Sequence, residues 1–165
     1  MSEHDLRQFV KANFAVIIIS DTRDEKTDES GKIANELITK AGHEVKTYKI
    51  IPNDKSQIRN TVKELLQNPE FNVIVTSGGT GISKRDITTD TVTDLFDKKI
   101  EGFGELFRKL SYEEIGEAAM ISRAIAGETN GKLVFCLPGS KNAVKLALTK
   151  LILPGLGHML KEANR

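Results

Sequence analysis

The stretch from Asn72 to Asp90 constrains this chain more than any other. It reads Asn72-Val73-Ile74-Val75-Thr76-Ser77-Gly78-Gly79-Thr80-Gly81-Ile82-Ser83-Lys84-Arg85-Asp86-Ile87-Thr88-Thr89-Asp90. A β-branched run drives into a glycine turn, two bases follow, then an acid, then the start of a helix. Three glycines in four residues let the backbone take φ > 0 and turn successive N–H groups the same way. Such N–H groups form a concave anion site, and a helix N-terminus adds positive dipole. The pattern predicts a phosphate-binding loop, with Lys84 and Arg85 adding charge and Asp86 at the rim.

Two familiar glycine motifs are excluded. A P-loop needs G-x-x-x-x-G-K-[ST], and Ser83 stands five residues after Gly78. In a dinucleotide fingerprint begun by Gly79-Thr80-Gly81, Lys84 occupies the third glycine's place. An acid beside a phosphate nest repels the phosphate unless a cation lies between them. Thr88, Thr89 and Asp90 are available as helix caps, so Asp86 is surplus to capping and suits Mg²⁺ held with phosphate oxygens.

The rest of the chain alternates strand and helix patterns. Asn13 to Ile19, Glu44 to Ile51 and Phe71 to Thr76 read as strands. The first is continuously apolar, as a strand buried on both faces should be. Thr27 or Asp28 caps a helix with Ile33, Ala34, Leu37 and Ile38 on one face, closed by Gly42. Lys55 to Gln67 is an amphipathic helix with Ile58, Val62, Leu65 and Leu66 inward, stopped at Asn68-Pro69. The charged loop Asp21 to Asp28 reads as mobile and solvated. Thr88 or Thr89 caps a helix running to about Asp97.

From Lys99 to Met120 the pattern predicts two short helices, with Phe103, Leu106 and Phe107 as a candidate subunit contact. Ser122 to Ala126 and Lys132 to Leu137 read as strands joined at Asn130-Gly131, a strong hairpin signal. Pro138-Gly139-Ser140 then opens a helix that Pro154-Gly155 interrupts. The expected fold is a three-layer α/β/α domain with a mainly parallel central sheet. Residues 1–12 form a polar arm, and residues 13–165 form one domain.

In such sheets, ligands bind beyond the carboxyl ends of the strands. Four polar clusters are placed there: Ser20-Asp21, Asn53-Asp54, Ser77 to Asp86, and Pro138-Gly139-Ser140. The candidate binding residues are Ser20, Asp21, Ser77, Gly78, Gly79, Thr80, Gly81, Arg85, Pro138, Gly139 and Ser140. Asp86 and Asp54 are the candidate catalytic and metal-linked acids.

Composition excludes some functions. Twenty-four Lys and Arg balance 23 Asp and Glu, and there is no Trp. Neither a global basic field nor a base-stacking platform points to nucleic acid. The single Cys136 excludes an internal disulfide and reads as a buried small hydrophobe. The three histidines lack ligand spacing for zinc. The polar N-terminus and short apolar runs suggest neither a signal peptide nor a membrane span, hence the cytoplasm.

Thr76-Ser77-Gly78-Gly79-Thr80-Gly81 followed by Arg85-Asp86-Ile87-Thr88 resembles the signature of the MoaB/Mog family, shared with the gephyrin G domain. Glu101 to Arg108 and Leu110 to Gly116 look like the MoaB subgroup, and Ser122-Arg123-Ala124 and Leu137-Pro138-Gly139-Ser140 match too. The likeness runs from about Phe14 to Leu153. It implies molybdenum cofactor biosynthesis by Mg²⁺-dependent transfer of AMP from ATP to the terminal phosphate of molybdopterin, with release of pyrophosphate. It also implies a homo-trimer or hexamer that hands its product to a molybdenum insertase. By the same resemblance, Gly78 to Gly81 cradle phosphate and Asp86 governs magnesium and nucleotide handling. One departure matters: the family often carries an acid directly after the proline ending its second strand, whereas here Asn53 follows Pro52 and the acid is Asp54. That departure motivates an alternative, a non-catalytic pterin-binding carrier of the same fold. An oligomeric scaffold is a weaker alternative. A dinucleotide-dependent oxidoreductase is disfavoured by the missing glycine.

Overall fold

The computed structural model describes residues 8–165, so most of the expected N-terminal arm lies outside the described residues. The strands are β1 (Asn13–Ile19), β2 (Glu44–Ile51), β3 (Val73–Ser77), β4 (Lys98–Lys99), β5 (Ile125–Thr129) and β6 (Lys132–Leu137). They form one sheet in the order β2-β1-β3-β6-β5-β4. β2, β1, β3 and β6 run parallel, and β5 and β4 complete the sheet through antiparallel pairings. The helices are α1 (Glu29–Lys40), α2 (Lys55–Gln67), α3 (Thr88–Thr93), α4 (Glu101–Ile115), α5 (Lys141–Ala147) and α6 (Leu153–Ala163).

The continuous apolar reading of β1 is correct: Phe14 to Ile19 are all buried. Alternate residues serve opposite faces. Phe14, Val16 and Ile18 join one core with α1, α4, α5 and α6, while Ala15, Ile17 and Ile19 join the other with α2 and α3. These are the two helical layers of a three-layer α/β/α domain.

The parallel register sets the site. Ile19 pairs with Ile51, Ile18 with Ser77, and Ser77 with Leu137. The ends of β2, β1, β3 and β6 therefore lie in one row, and the chain leaves each at the same edge of the sheet.

Several boundaries differ from expectation. β5 begins at Ile125 rather than Ser122, and the Arg123 N–H donates to Thr80 O of the glycine loop instead of joining the sheet. Asn130 (φ 52°) and Gly131 (φ 79°) both take positive φ, as a two-residue hairpin turn with matching twist requires. α3 is short, and none of Thr88, Thr89 or Asp90 caps it. The Thr91 and Thr93 hydroxyls instead donate back to the carbonyls of Ile87 and Thr89. The two short helices expected after Lys99 are one helix, α4, followed by a 3₁₀ segment, Gly116–Ile121. Phe103 and Phe107 are core residues, which removes them as subunit contacts, while Leu106, Tyr112, Ile115, Met120 and Ile121 are exposed.

Pro154 does not interrupt its helix. A π-helical turn, Leu148–Ile152, joins α5 to α6, and Pro154 sits in the first turn of α6, where its missing N–H costs least. The joined helix, Lys141–Ala163, is long and apolar enough by length and composition to cross a membrane, which single apolar runs did not suggest. It buries Val144, Ala147, Leu148, Ile152, Leu156 and Leu160 in the core.

Candidate phosphate and pterin site

The glycine loop leaves β3 after Ser77, whose buried hydroxyl donates to Pro138 O at 2.9 Å. Gly78 has φ +114°, and its N–H donates to Leu137 O at 2.9 Å. A Cβ on Gly78 would meet Ile19 O at 2.4 Å. Gly79 has φ +74°, and a Cβ there would meet Thr88 Oγ1 at 2.2 Å. Glycine is needed at both positions for conformation and for space. The Pro138 to Ser140 loop lies alongside: the position a Gly139 Cβ would take is 3.6 Å from Gly78 Cα. Ser140 caps α5, accepting from Ala143 N–H at 3.2 Å.

These two loops, Asp86, and Ser111, Ser122, Phe107, Ile115 and Ile121 line a hollow of about 230 Å³. One wall is backbone and polar, and the other is apolar, contributed by α4 and the 3₁₀ segment. A larger hollow of about 710 Å³ lies against α3, α4 and β5. It is lined by none of Ser77 to Gly81 or Pro138 to Ser140, so the smaller hollow is the one built by the strand ends.

Asp86 is half-buried, and its Oδ2 accepts from Ser83 Oγ at 2.7 Å and Ser83 N–H at 3.0 Å. The Ser83 hydroxyl bond, with smaller help from the Ser83 and Gly81 amides and Arg123, holds its carboxyl below the usual carboxylate range. The acid is therefore ionised at neutral pH and oriented by its own loop.

Arg123, which the sequence offered only as part of the Ser122-Arg123-Ala124 motif and with no role, staples this loop. Its backbone N–H donates to Thr80 O at 2.8 Å. Its guanidinium donates to Gly81 O at 2.7 Å and Asp86 O at 3.0 Å, and to both Asp90 oxygens at 2.8 and 3.0 Å. It thus holds both ends of the turn that carries Asp86. The hydroxyl of Ser122, next to it, is buried with no partner among the described residues.

On the β1 and β2 side, Asp21 Oδ1 accepts from Asn53 N–H at 2.9 Å, and Asp21 Oδ2 accepts from Arg85 at 2.6 Å. Asn53 Nδ2 donates to Arg85 O at 2.7 Å. Three strand-end loops are tied by this cycle, and Arg85 spends its charge on Asp21. Asn53 Oδ1 is buried without a partner among the described residues.

Asp54 has a structural duty. Its carboxylate caps α2, accepting from Gln57 N–H at 2.9 Å, so it is engaged in a structural bond and Asn53 is the residue that reaches the glycine loop. Among the described residues, no group of three or more His, Cys, Asp or Glu could hold a metal ion.

The loop 21–28 is solvated as expected, with Asp21, Thr22 and Asp24 to Thr27 exposed, but it is tied by its own hydrogen bonds. Ser20 Oγ accepts from Thr22 and Arg23 N–H, and Asp24 accepts from Lys26 and Thr27 N–H. Asp28 is fully buried, caps α1 through Gly31 N–H and accepts from the Tyr48 hydroxyl. Its cue in the sequence was the capping position alone.

A mainly parallel sheet with a glycine loop, a second Pro-Gly-Ser loop and an oriented acid at one edge defines a class of α/β ligand-binding domain. The family described as "Probable molybdopterin binding domain" matches residues 15–158, and the chain belongs to this family. It is 48% identical to molybdenum cofactor biosynthesis protein B of Bacillus cereus over 166 residues, covering all of this chain and 98% of the relative. A crystal structure of a molybdenum cofactor biosynthesis protein B superposes with a TM-score of 0.91 at 49% identity, over 94% of this chain and 98% of the other. The tungsten cofactor synthesizing protein MoaB from Pyrococcus furiosus gives 0.86 at 42% identity, over the same shares.

Proposed function

We propose that the chain acts in molybdenum cofactor biosynthesis as a molybdopterin adenylyltransferase. A terminal phosphate oxygen of molybdopterin attacks the α-phosphorus of ATP. The new O–P bond forms as the bond to pyrophosphate breaks. The observation that carries this reading is the convergence of two strand-end loops and an ionised Asp86 on one hollow with an apolar wall. Phosphate groups suit the loop side, and the pterin ring suits the apolar side. Two anions must be brought together, so positioning and charge neutralisation do most of the work.

Magnesium would neutralise phosphate charge as the reacting groups meet. Asp86 fits as its one protein carboxylate, because Mg²⁺ is commonly held by one or two carboxylates with phosphate oxygens and water. Asp54 is a poorer second ligand, since its carboxylate caps α2. Exposed Leu106, Tyr112 and Met120, which do not line the hollow, support a homo-oligomer, a trimer or a dimer of trimers. A molybdenum insertase would receive the product, and the single buried Cys136 suits a reducing cytoplasm.

A second reading is a non-catalytic carrier of molybdopterin. Asn53 at the loop contact, with Asp54 turned to capping, favours it. One experiment separates the two: purified protein with molybdopterin and Mg-ATP, the product read by mass. Adenylylated pterin with equimolar pyrophosphate supports the transferase. Bound pterin with neither product nor ATP binding refutes it in favour of the carrier.

A further inference from the structure

We infer that Arg23 is the cation of this anion site, and that the group it receives is a phosphate seated over Gly139 between the glycine loop and the start of α1. The inference deepens the proposed function by naming a binding residue for one of its phosphates.

Charge bookkeeping leads there. Arg85 is paired with Asp21, and Arg123 with Asp90. Lys84 is exposed. Arg23 is half-buried and forms no ion pair among the described residues. The three aspartates of its own loop are engaged elsewhere: Asp21 with Asn53 and Arg85, Asp24 with backbone amides, and Asp28 with Gly31 N–H and Tyr48. Its guanidinium meets only neutral oxygens, Gly139 O at 2.8 Å and Ser30 Oγ at 3.3 Å, both through Nη1.

The remaining guanidinium nitrogen faces a defined place. Arg23 Nη2 lies 4.0 Å, and Gly78 Cα 3.6 Å, from the point where a Gly139 Cβ would stand. Glycine keeps that point open, and the guanidinium fork suits a tetrahedral phosphate. Holding Gly139 O is an insufficient reason for the arginine, because the Ser30 hydroxyl already donates to that carbonyl at 2.8 Å. The backbone of the arginine is held by Ser20 Oγ at 3.0 Å, so its charge is presented from an ordered loop.

The test is equilibrium binding of inorganic pyrophosphate, and separately of ATP and molybdopterin, to the full chain and to Arg23→Gln, Arg23→Lys, Ser30→Ala and the remote charge control Lys150→Gln. Removing one charge-assisted phosphate contact weakens binding by about 10- to 100-fold. Arg23→Gln should lose this much for at least one ligand, with a shallower salt dependence. Arg23→Lys should lose less, and Ser30→Ala and Lys150→Gln little. Equal losses in Ser30→Ala and Arg23→Gln would reduce Arg23 to a loop support and overturn the proposal. So would unchanged binding in Arg23→Gln, or a wild type that binds none of the three ligands. Should Arg23→Gln fail to fold, Arg23→Lys against Ser30→Ala decides alone: the proposal stands only if Ser30→Ala binds better. Arg23-dependent pyrophosphate binding without adenylylated product would sustain the anion site while refuting adenylyl transfer.

Discussion

The conformation and the packing of Gly79 can be separated by experiment. Alanine at this position carries two costs. Holding φ at +74° costs a residue with a Cβ about 1–2 kcal/mol. The Cβ would also stand 2.2 Å from Thr88 Oγ1 and 3.1 Å from Thr88 Cβ, an overlap that costs about 1–3 kcal/mol to relieve. Gly79→Ala should therefore destabilise by about 2–5 kcal/mol, and its Tm should drop by roughly 4–20 °C, since 1 kcal/mol shifts a domain of this size by about 2–4 °C. Thr88 Oγ1 is buried and has no hydrogen-bond partner among the described residues, so Thr88→Ala removes the nearer of the two contacts without breaking a bond. In a double-mutant cycle followed by urea denaturation and circular dichroism, Gly79→Ala with Thr88→Ala should recover most of the steric part, about 1–2 kcal/mol, and leave the conformational part lost. A Gly79→Ala protein within about 0.5 kcal/mol of wild type, or a cycle with no coupling, would refute this account of the loop.

Other consequences are as direct. Asp54→Ala should cost about 1 kcal/mol by loss of a helix cap while Asp54→Ser costs almost nothing, as chemical denaturation of the three proteins will show. If the cap is the main duty of Asp54, Asp54→Ser should also keep turnover, whereas Asp86→Asn should lower it about 10²- to 10³-fold in the mass assay while leaving pterin bound. Asp86 and Asp90 titrate below their ordinary value of 3.8, through Ser83 and Arg123 hydrogen bonds respectively. Their contribution to stability is thus fully present above pH 3.8 and is lost as pH falls through the depressed values; an Asp86→Asn, Asp90→Asn double variant should show a shallower fall in stability over that acid range. Burial pushes the Cys136 thiol up to about 12, so a thiol reagent at pH 8 should label it only after denaturant is added.

Periodicity and local chemistry carried much of this protein. The unbroken apolar run of β1, the stripes of α1 and α2, and the Asn130-Gly131 turn are local signals, and each specifies its element through side-chain spacing or allowed φ. Alternation of strand and helix then implied a parallel sheet with its strand ends on one edge, which placed the glycine loop beside Pro138 to Ser140. The roles of charged groups were not legible in this way. Lys84 and Arg85 looked like the charges of the anion loop, yet Arg85 is paired with Asp21, sixty-four residues away. Asp54 looked like a second site acid, yet it caps a helix. Arg23 carries no signal in the sequence, and Arg123 stands there in a motif without a role, because an arginine in a sequence does not reveal whether a carboxylate will meet it. Patterns of burial follow from the near neighbours along a chain, and so the sequence alone could determine the layers and the position of the glycine loop. Which cation is neutralised and which is left to receive a ligand depends on groups that only the tertiary fold brings within hydrogen-bonding distance.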